Sequence, residues 1–182
     1  MANESLPLFV LPEASQGAKK KLTSTQAAYL AGLLDGEGHF GMRWGTPVVK
    51  NGHCYKRFEY FVALVMTNKA FMEKIAVMVP WGSGTIWNAN RTLKGRARPA
   101  YKMKWSGTAA AELCRAMLPY LHLKRPHAEL ILKLADAKVA AQAERTRTAH
   151  AYPARIVQLE EVLFLAMRVL NKRGQDNAAS LT

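Results

Sequence analysis

The stretch Leu30-Ala31-Gly32-Leu33-Leu34-Asp35-Gly36-Glu37-Gly38 decides how this chain is read. Together with Ala27-Ala28-Tyr29 it predicts a helix that is apolar all the way round, and such a helix must be buried on every side. One side packs on its own domain. The other needs a further partner, and Gly32 leaves room for a second backbone to approach closely. The segment then ends on two carboxylates, Asp35 and Glu37, set beside Gly36 and Gly38. Acids at a helix C-terminus oppose the macrodipole there. A cap or a cation must compensate, and a bound metal ion would do so. The bland alternative is a buried helix with a glycine cap and incidental acids.

Upstream, Ser24 or Thr25 caps the helix, and Gln26 lies three residues after Thr23 as in a capping box. Gly36 and Gly38 are expected to stop it. The residues before it, ending in Lys19-Lys20-Lys21, are expected to form a mobile tail over 1–21. One domain over 22–174 and a C-terminal tail over 175–182 complete the organisation.

Downstream, from His39, the pattern changes to alternation. Phe40, Met42 and Trp44 share one face; His39, Gly41 and Arg43 share the other. After a loop containing Asn51-Gly52, Phe58, Tyr60, Val62, Leu64 and Met66 alternate with Glu59, Phe61, Ala63 and Val65. This reads as a long hairpin. A helix over about 69–79 ends at Pro80, and residues 85–90 and 100–105 read as a second hairpin. Three helices follow, over about 108–118, 126–142 and 153–172, the last two with apolar spacing of the helical period. The order α-ββ-α-ββ-α-α-α predicts an α+β fold, with helices packed on one face of an antiparallel sheet. No internal repeat is visible.

Charge narrows the function. The 182 residues hold 26 Lys+Arg against 13 Asp+Glu, a net charge of +13. A field of that sign favours polyanions, either nucleic acid or an anionic membrane surface. No acid lies between Glu73 and Glu112, an interval carrying Lys74, Arg91, Lys94, Arg96, Arg98, Lys102 and Lys104. None lies between Glu37 and Glu59, where Arg43, Lys50, Lys56 and Arg57 fall. Solvated surfaces usually mix signs, so these stretches are candidates for a phosphate-facing surface. No apolar run is long enough to span a bilayer, and no membrane partner is expected. Cys54 and Cys114 form no CxxC pair, and the five histidines are scattered. The cysteines are read as ordinary thiols of an intracellular, reducing compartment, with no zinc site.

The segment 30–38 resembles the signature of the LAGLIDADG homing endonucleases, with Glu37 where Asp is more usual. Two further segments resemble the family in order. Met66-Thr67-Asn68-Lys69 matches the end of the second strand, where the family has a polar residue near its metals. Leu118-Pro119-Tyr120-Leu121-His122-Leu123-Lys124 is similar to a PFLxLK segment whose last lysine lies in the active site. The resemblance covers roughly residues 24–142 and is nearest to the single-motif, homodimeric branch.

The resemblance implies a saddle-shaped sheet and two signature helices packed across a twofold axis, with Tyr29, Leu30, Gly32, Leu33 and Asp35 at the dimer interface. It implies a site-specific endonuclease of a mobile genetic element such as an intron, cutting a long pseudo-palindromic duplex and leaving short 3′ overhangs. Glu37 and the Gly36 carbonyl would hold Mg²⁺, or another divalent cation such as Mn²⁺. Lys124 would supply positive charge to the transition state. Asn68 would orient water, with simple helix capping as its competing role.

By alternation, the face turned toward double-stranded DNA carries His39, Gly41, Arg43, Glu59, Phe61, Val65, Trp87, Lys102 and Lys104. Lys56, Arg57, Arg91, Lys94, Arg96 and Arg98 are expected to join it from the loops. Phe61, Val65 and Trp87 are apolar for such a face; they contact thymine methyls, or the register is shifted by one. Two other readings use the same scaffold: a maturase that binds intron RNA, and a catalytically silent DNA-binding protein.

Overall fold

The computed structural model describes residues 21–44, 48–50, 53–55, 58–81, 86–88, 99–144 and 153–176. Its first helix, α1 (Ser24–Glu37), opens on a complete capping box. The Thr23 hydroxyl accepts from the Gln26 amide at 3.2 Å, and the Gln26 side chain accepts from the Thr23 amide at 3.0 Å. Thr23, rather than Ser24 or Thr25, is therefore the cap. Two of the orphan donors at the helix start are satisfied reciprocally.

Gly36 does not stop α1. The helix continues through Glu37 and ends at Gly38, whose backbone is already extended and whose amide donates to the Leu34 carbonyl. A Cβ on Gly38 would sit 2.5 Å from that carbonyl oxygen and 2.7 Å from the Leu34 Cδ2 atom. Glycine is required here by close approach of the chain to itself, not by left-handed backbone. The helix thus feeds into strand β1 (Gly38–Trp44) with no intervening loop.

The hairpin has an addition at its tip. Short strands β2 (Val48–Lys50) and β3 (His53–Tyr55) form a separate two-stranded ladder before the return strand β4 (Phe58–Met66). Helix α2 (Lys69–Met78), strands β5 (Trp87–Asn88) and β6 (Tyr101–Ser106), and helix α3 (Thr108–Met117) follow. A 3-10 turn (Leu118–Tyr120) then leads to helices α4 (Arg125–Glu144) and α5 (Ala154–Asp176). The main sheet is antiparallel in the order β1-β4-β6-β5. Among the described residues β5 is shorter than the strand expected over 85–90.

The expected register holds. Phe40 pairs with Val62, Met42 with Tyr60, and Val62 with Trp105. These residues are buried against Leu30, Ala31 and Leu34 of α1, Leu113 and Met117 of α3, Ile131 and Leu134 of α4, and Leu163 and Met167 of α5. Each fully buried side chain of this size contributes about 1.5–3 kcal/mol. The architecture is the α+β arrangement the element order predicts, with helices over one sheet face.

One polar pair lies inside this layer. Lys138 of α4 meets Glu160 of α5 at 2.5 Å, with side chains 13% and 6% exposed. The Lys138 ammonium also donates to the Phe58 carbonyl at 3.2 Å and lies 5.7 Å from the centroids of the Phe58 and Tyr60 rings. The two longest helices are thereby tied to the start of β4.

Candidate active site and nucleic-acid interface

The acids at the end of α1 have separate roles. Asp35 turns back toward its own chain: its two carboxylate oxygens accept from the His122 and Lys124 amides, each at 2.8 Å. This explains an acid placed against the helix dipole. Two backbone N–H donors surround it, and charge-assisted bonds of that kind outweigh a dipole penalty of about 0.3–1 kcal/mol. Glu37, one half-turn further, is exposed.

Asp35 thereby fixes Lys124. With its amide held by Asp35, the Lys124 ammonium reaches the Gly38 carbonyl. The side chain is half-buried. Burial pushes its pKa down, and the nearby Asp35 and Glu37 carboxylates push back. Lys124 and Glu37 are 87 positions apart in sequence, and the fold sets them within electrostatic reach of each other. The Gly36 carbonyl lies in the last turn of α1 and has no intrahelical donor, because residue 40 is already in β1.

Two imidazoles border this corner, and sequence reading took only one of them. The His39 pKa is lowered by burial, then by Lys102 and Lys124. His127 is lowered by burial and by Lys124, against a hydrogen bond it shares with the Asn171 side chain, which raises it. The spacing Lys124-x-x-His127 places His127 one helical turn on, so that signal was available. Asn171 carries no local signal. It comes from α5, where its amide donates to the Phe40 carbonyl at 3.3 Å.

Asn68 takes the capping role. Its side-chain oxygen accepts from the Phe71 amide at 3.0 Å at the start of α2. That oxygen is engaged with backbone, which favours a structural role over the water-orienting one.

The outward face of the sheet is assembled as alternation predicts, and the apolar residues on it have a physical account. Gly41 lies opposite Phe61, and Arg43 opposite Glu59. Phe61 is 8% exposed, packed among its neighbours on this face. His39 is 5.5 Å away, centroid to centroid, the Lys104 ammonium is 4.6 Å from the ring centroid, and the Arg43 guanidinium is 5.9 Å from it. A Cβ at Gly41 would come within 2.6 Å of the ring, so glycine makes the place for it. Phe61 is therefore a platform for the cations around it, and no register shift is needed. Val65 and Trp87, each 40% exposed, flank Lys102 across three strands.

Glu59 is also reassigned. Its carboxylate accepts from Arg43 Nε and Lys104 Nζ, both at 2.7 Å. Burial disfavours its charge, yet bonds from Lys104, Arg43 and Ser106 prevail and hold its pKa at about 2. Glu59, partly exposed on this face, orders it by bridging Arg43 and Lys104.

On the expected dimer face, Tyr29 is 49% exposed, Gly32 is exposed and Leu33 half-exposed. Leu30 is 1% exposed within its own core and has no surface to offer a second copy. Asp35 is committed to the 122–124 segment. Lys56, Arg57, Arg91, Lys94, Arg96 and Arg98 lie outside the described residues. Among the described residues no three His, Cys, Asp or Glu side chains converge as a metal-binding group. No helix of the described residues is long and apolar enough to cross a membrane.

No protein-family model matches this sequence, and no curated protein does. Solved structures do match. I-CvuI, a homing endonuclease in complex with its target in the presence of calcium, superimposes with a TM-score of 0.55 at 18% identity. The match covers 81% of this chain and 82% of that one. The LAGLIDADG homing endonuclease I-GzeII, in complex with a DNA target, gives 0.55 at 15% identity over 79% of this chain. I-SmaMI, bound to its uncleaved DNA target with calcium ions, gives 0.53 at 16% identity over 81%. This chain spans 44% of I-GzeII and 45% of I-SmaMI. With its four-stranded antiparallel sheet and its layer of helices, the chain has the LAGLIDADG homing endonuclease fold.

Proposed function

We propose that this chain is a single-motif LAGLIDADG homing endonuclease, a homodimer that hydrolyses both strands of a long pseudo-palindromic DNA site and leaves short 3′ overhangs. The observation that carries the reading is that Lys124, tied to the Gly38 carbonyl, lies within electrostatic reach of Glu37 at the end of α1, beside a basic sheet face. A metal-assisted nuclease needs an oxygen ligand and a fixed cation beside a surface that accepts phosphates, and this corner offers all three.

The donor set suits a hard divalent cation, Mg²⁺ or Mn²⁺. One copy offers the Glu37 carboxylate and the Gly36 carbonyl, and Mg²⁺ is commonly bound through one or two carboxylates with waters completing its shell. A cation there would lower the pKa of an attacking water and polarise the scissile phosphate. The rest falls to the chain itself. Lys124 supplies fixed positive charge to the phosphoryl oxygens as charge develops on them. Asp35 holds the segment that carries Lys124, and the Gly38 carbonyl orients its ammonium.

Dimerisation is supported by the outward side of α1. Thr25, Ala28, Tyr29, Gly32 and Gly36 are exposed there and none is charged; Cβ atoms on Gly32 and Gly36 would meet nothing within 4 Å. A second α1 laid along this side would bury it and bring two copies of Glu37 together. A homodimer reads a site of matching twofold symmetry.

The test is Glu37→Gln in the full chain, with cutting and binding assayed separately on duplexes selected with Mg²⁺ from a randomised library. Cutting is expected to disappear while binding persists. Removing an acid from a helix C-terminus does not destabilise the helix, so lost cutting is not lost folding. Undiminished cutting by Glu37→Gln would overturn the assignment.

A further inference from the structure

We propose that Arg43 reads a guanine in the major groove, and that Glu59 is the positioning residue that aims it. The inference rests on the DNA-cutting reading above and deepens it. Glu59 lies directly across the strand pair from Arg43 and accepts from its Nε atom at 2.7 Å. That bond uses the side of the guanidinium and leaves the end-on pair, Nη1 and Nη2, for a ligand. Guanine presents two acceptors, O6 and N7, in the major groove, and a fork of two parallel N–H donors matches them.

Neighbouring groups fix the fork. The guanidinium lies 5.9 Å from the centroid of the Phe61 ring, and the side chain is 61% exposed, so it is ordered at its base and open at its tip. Ordering before contact lowers the entropy lost on binding. Glu59 in turn is held by Lys104, whose side chain is only 14% exposed and whose ammonium sits 4.6 Å from the same ring centroid. Both carboxylate oxygens are engaged. Glu59 thus has little left for a cytosine amino group, and the reader in this cluster is Arg43.

Position adds a constraint. Arg43 stands six residues beyond Glu37, about 20 Å along an extended strand. Base pairs are spaced about 3.4 Å, so the guanine is expected within about one helical turn outboard of each cut, once per half-site.

The test is a binding selection from a randomised duplex library with the full-length protein, its Arg43→Lys variant and its Glu59→Gln variant. The parent protein should enrich guanine at one symmetric position in that window. Arg43→Lys keeps the charge but loses the fork, and should lower the guanine preference there by roughly 5- to 150-fold, the range of one bidentate pair. Glu59→Gln should broaden preference at the same position, because Nε loses its charged acceptor. Selection of no DNA sequence by the parent protein would overturn the DNA-cutting reading itself. Selection of a defined site with no guanine in the window, or with guanine preference unaltered in Arg43→Lys, would overturn the Arg43 assignment alone. Unaltered guanine preference in Glu59→Gln would overturn the positioning role.

Discussion

Replacing Asp35 by alanine separates two accounts of the acid at the end of α1, because they differ in sign. If Asp35 merely opposed the helix dipole, its removal would stabilise the protein by about 0.3–1 kcal/mol. The structure gives it two backbone donors, the His122 and Lys124 amides, each at 2.8 Å. Hydrogen bonds to charged groups contribute about 1.5–3 kcal/mol each. Taking the low end of each for a half-exposed carboxylate and subtracting the relieved dipole term leaves a net loss of about 2–3 kcal/mol. For a chain of this size that corresponds to a fall in Tm of roughly 4–12 °C. Asp35→Asn should fall in between, since an amide keeps one acceptor and turns its NH₂ toward a donor. The assay is thermal unfolding of the three proteins followed by circular dichroism. Cleavage well below the melting range should also drop in Asp35→Ala, since the segment bearing Lys124 loses its anchor. An unchanged or raised Tm in Asp35→Ala would refute the anchoring role.

Two further outcomes follow from the polar clusters. The folded-state pKa of Glu59, about 2, lies below its ordinary 4.5, so its contribution to stability is present above pH 4.5 and is lost as pH falls from there toward 2. With solvent screening, that contribution is about 1–2 kcal/mol. Denaturant unfolding of Glu59→Gln across pH 2–7 should show a flatter acid limb than the parent protein, and parallel limbs would count against the cluster. Lys138→Met should cost about 3–5 kcal/mol by leaving Glu160 buried without its ion partner. The double change Lys138→Met with Glu160→Leu should recover most of that loss in urea unfolding, and a near-neutral single variant would disprove the buried pair.

Local patterns carried much of this protein on their face. The capping box, the apolar run from Ala27 to Leu34, the two-residue alternation of β1 and β4, and the helical spacing of α4 and α5 depend on neighbours a few positions apart. For that reason the layer order and the outward sheet face could be read before any coordinates. The three segments that resemble the LAGLIDADG pattern also named Glu37 and Lys124, which the fold sets within electrostatic reach of each other.

Tertiary structure decided whatever depended on a distant partner. Asp35 could be an interface residue, a cap or a ligand until amides 87 and 89 positions away closed on it. Glu59 looked like a reader of bases until Arg43, Lys104 and Ser106 surrounded it. Asn68 had two roles open until its oxygen met the Phe71 amide. Leu30 matched a shared interface by its type and lies instead in its own core. A linear pattern records what a residue is and which face it takes; only the folded chain supplies the donor, ring or backbone that exhausts its bonding capacity, and that supply decides its role.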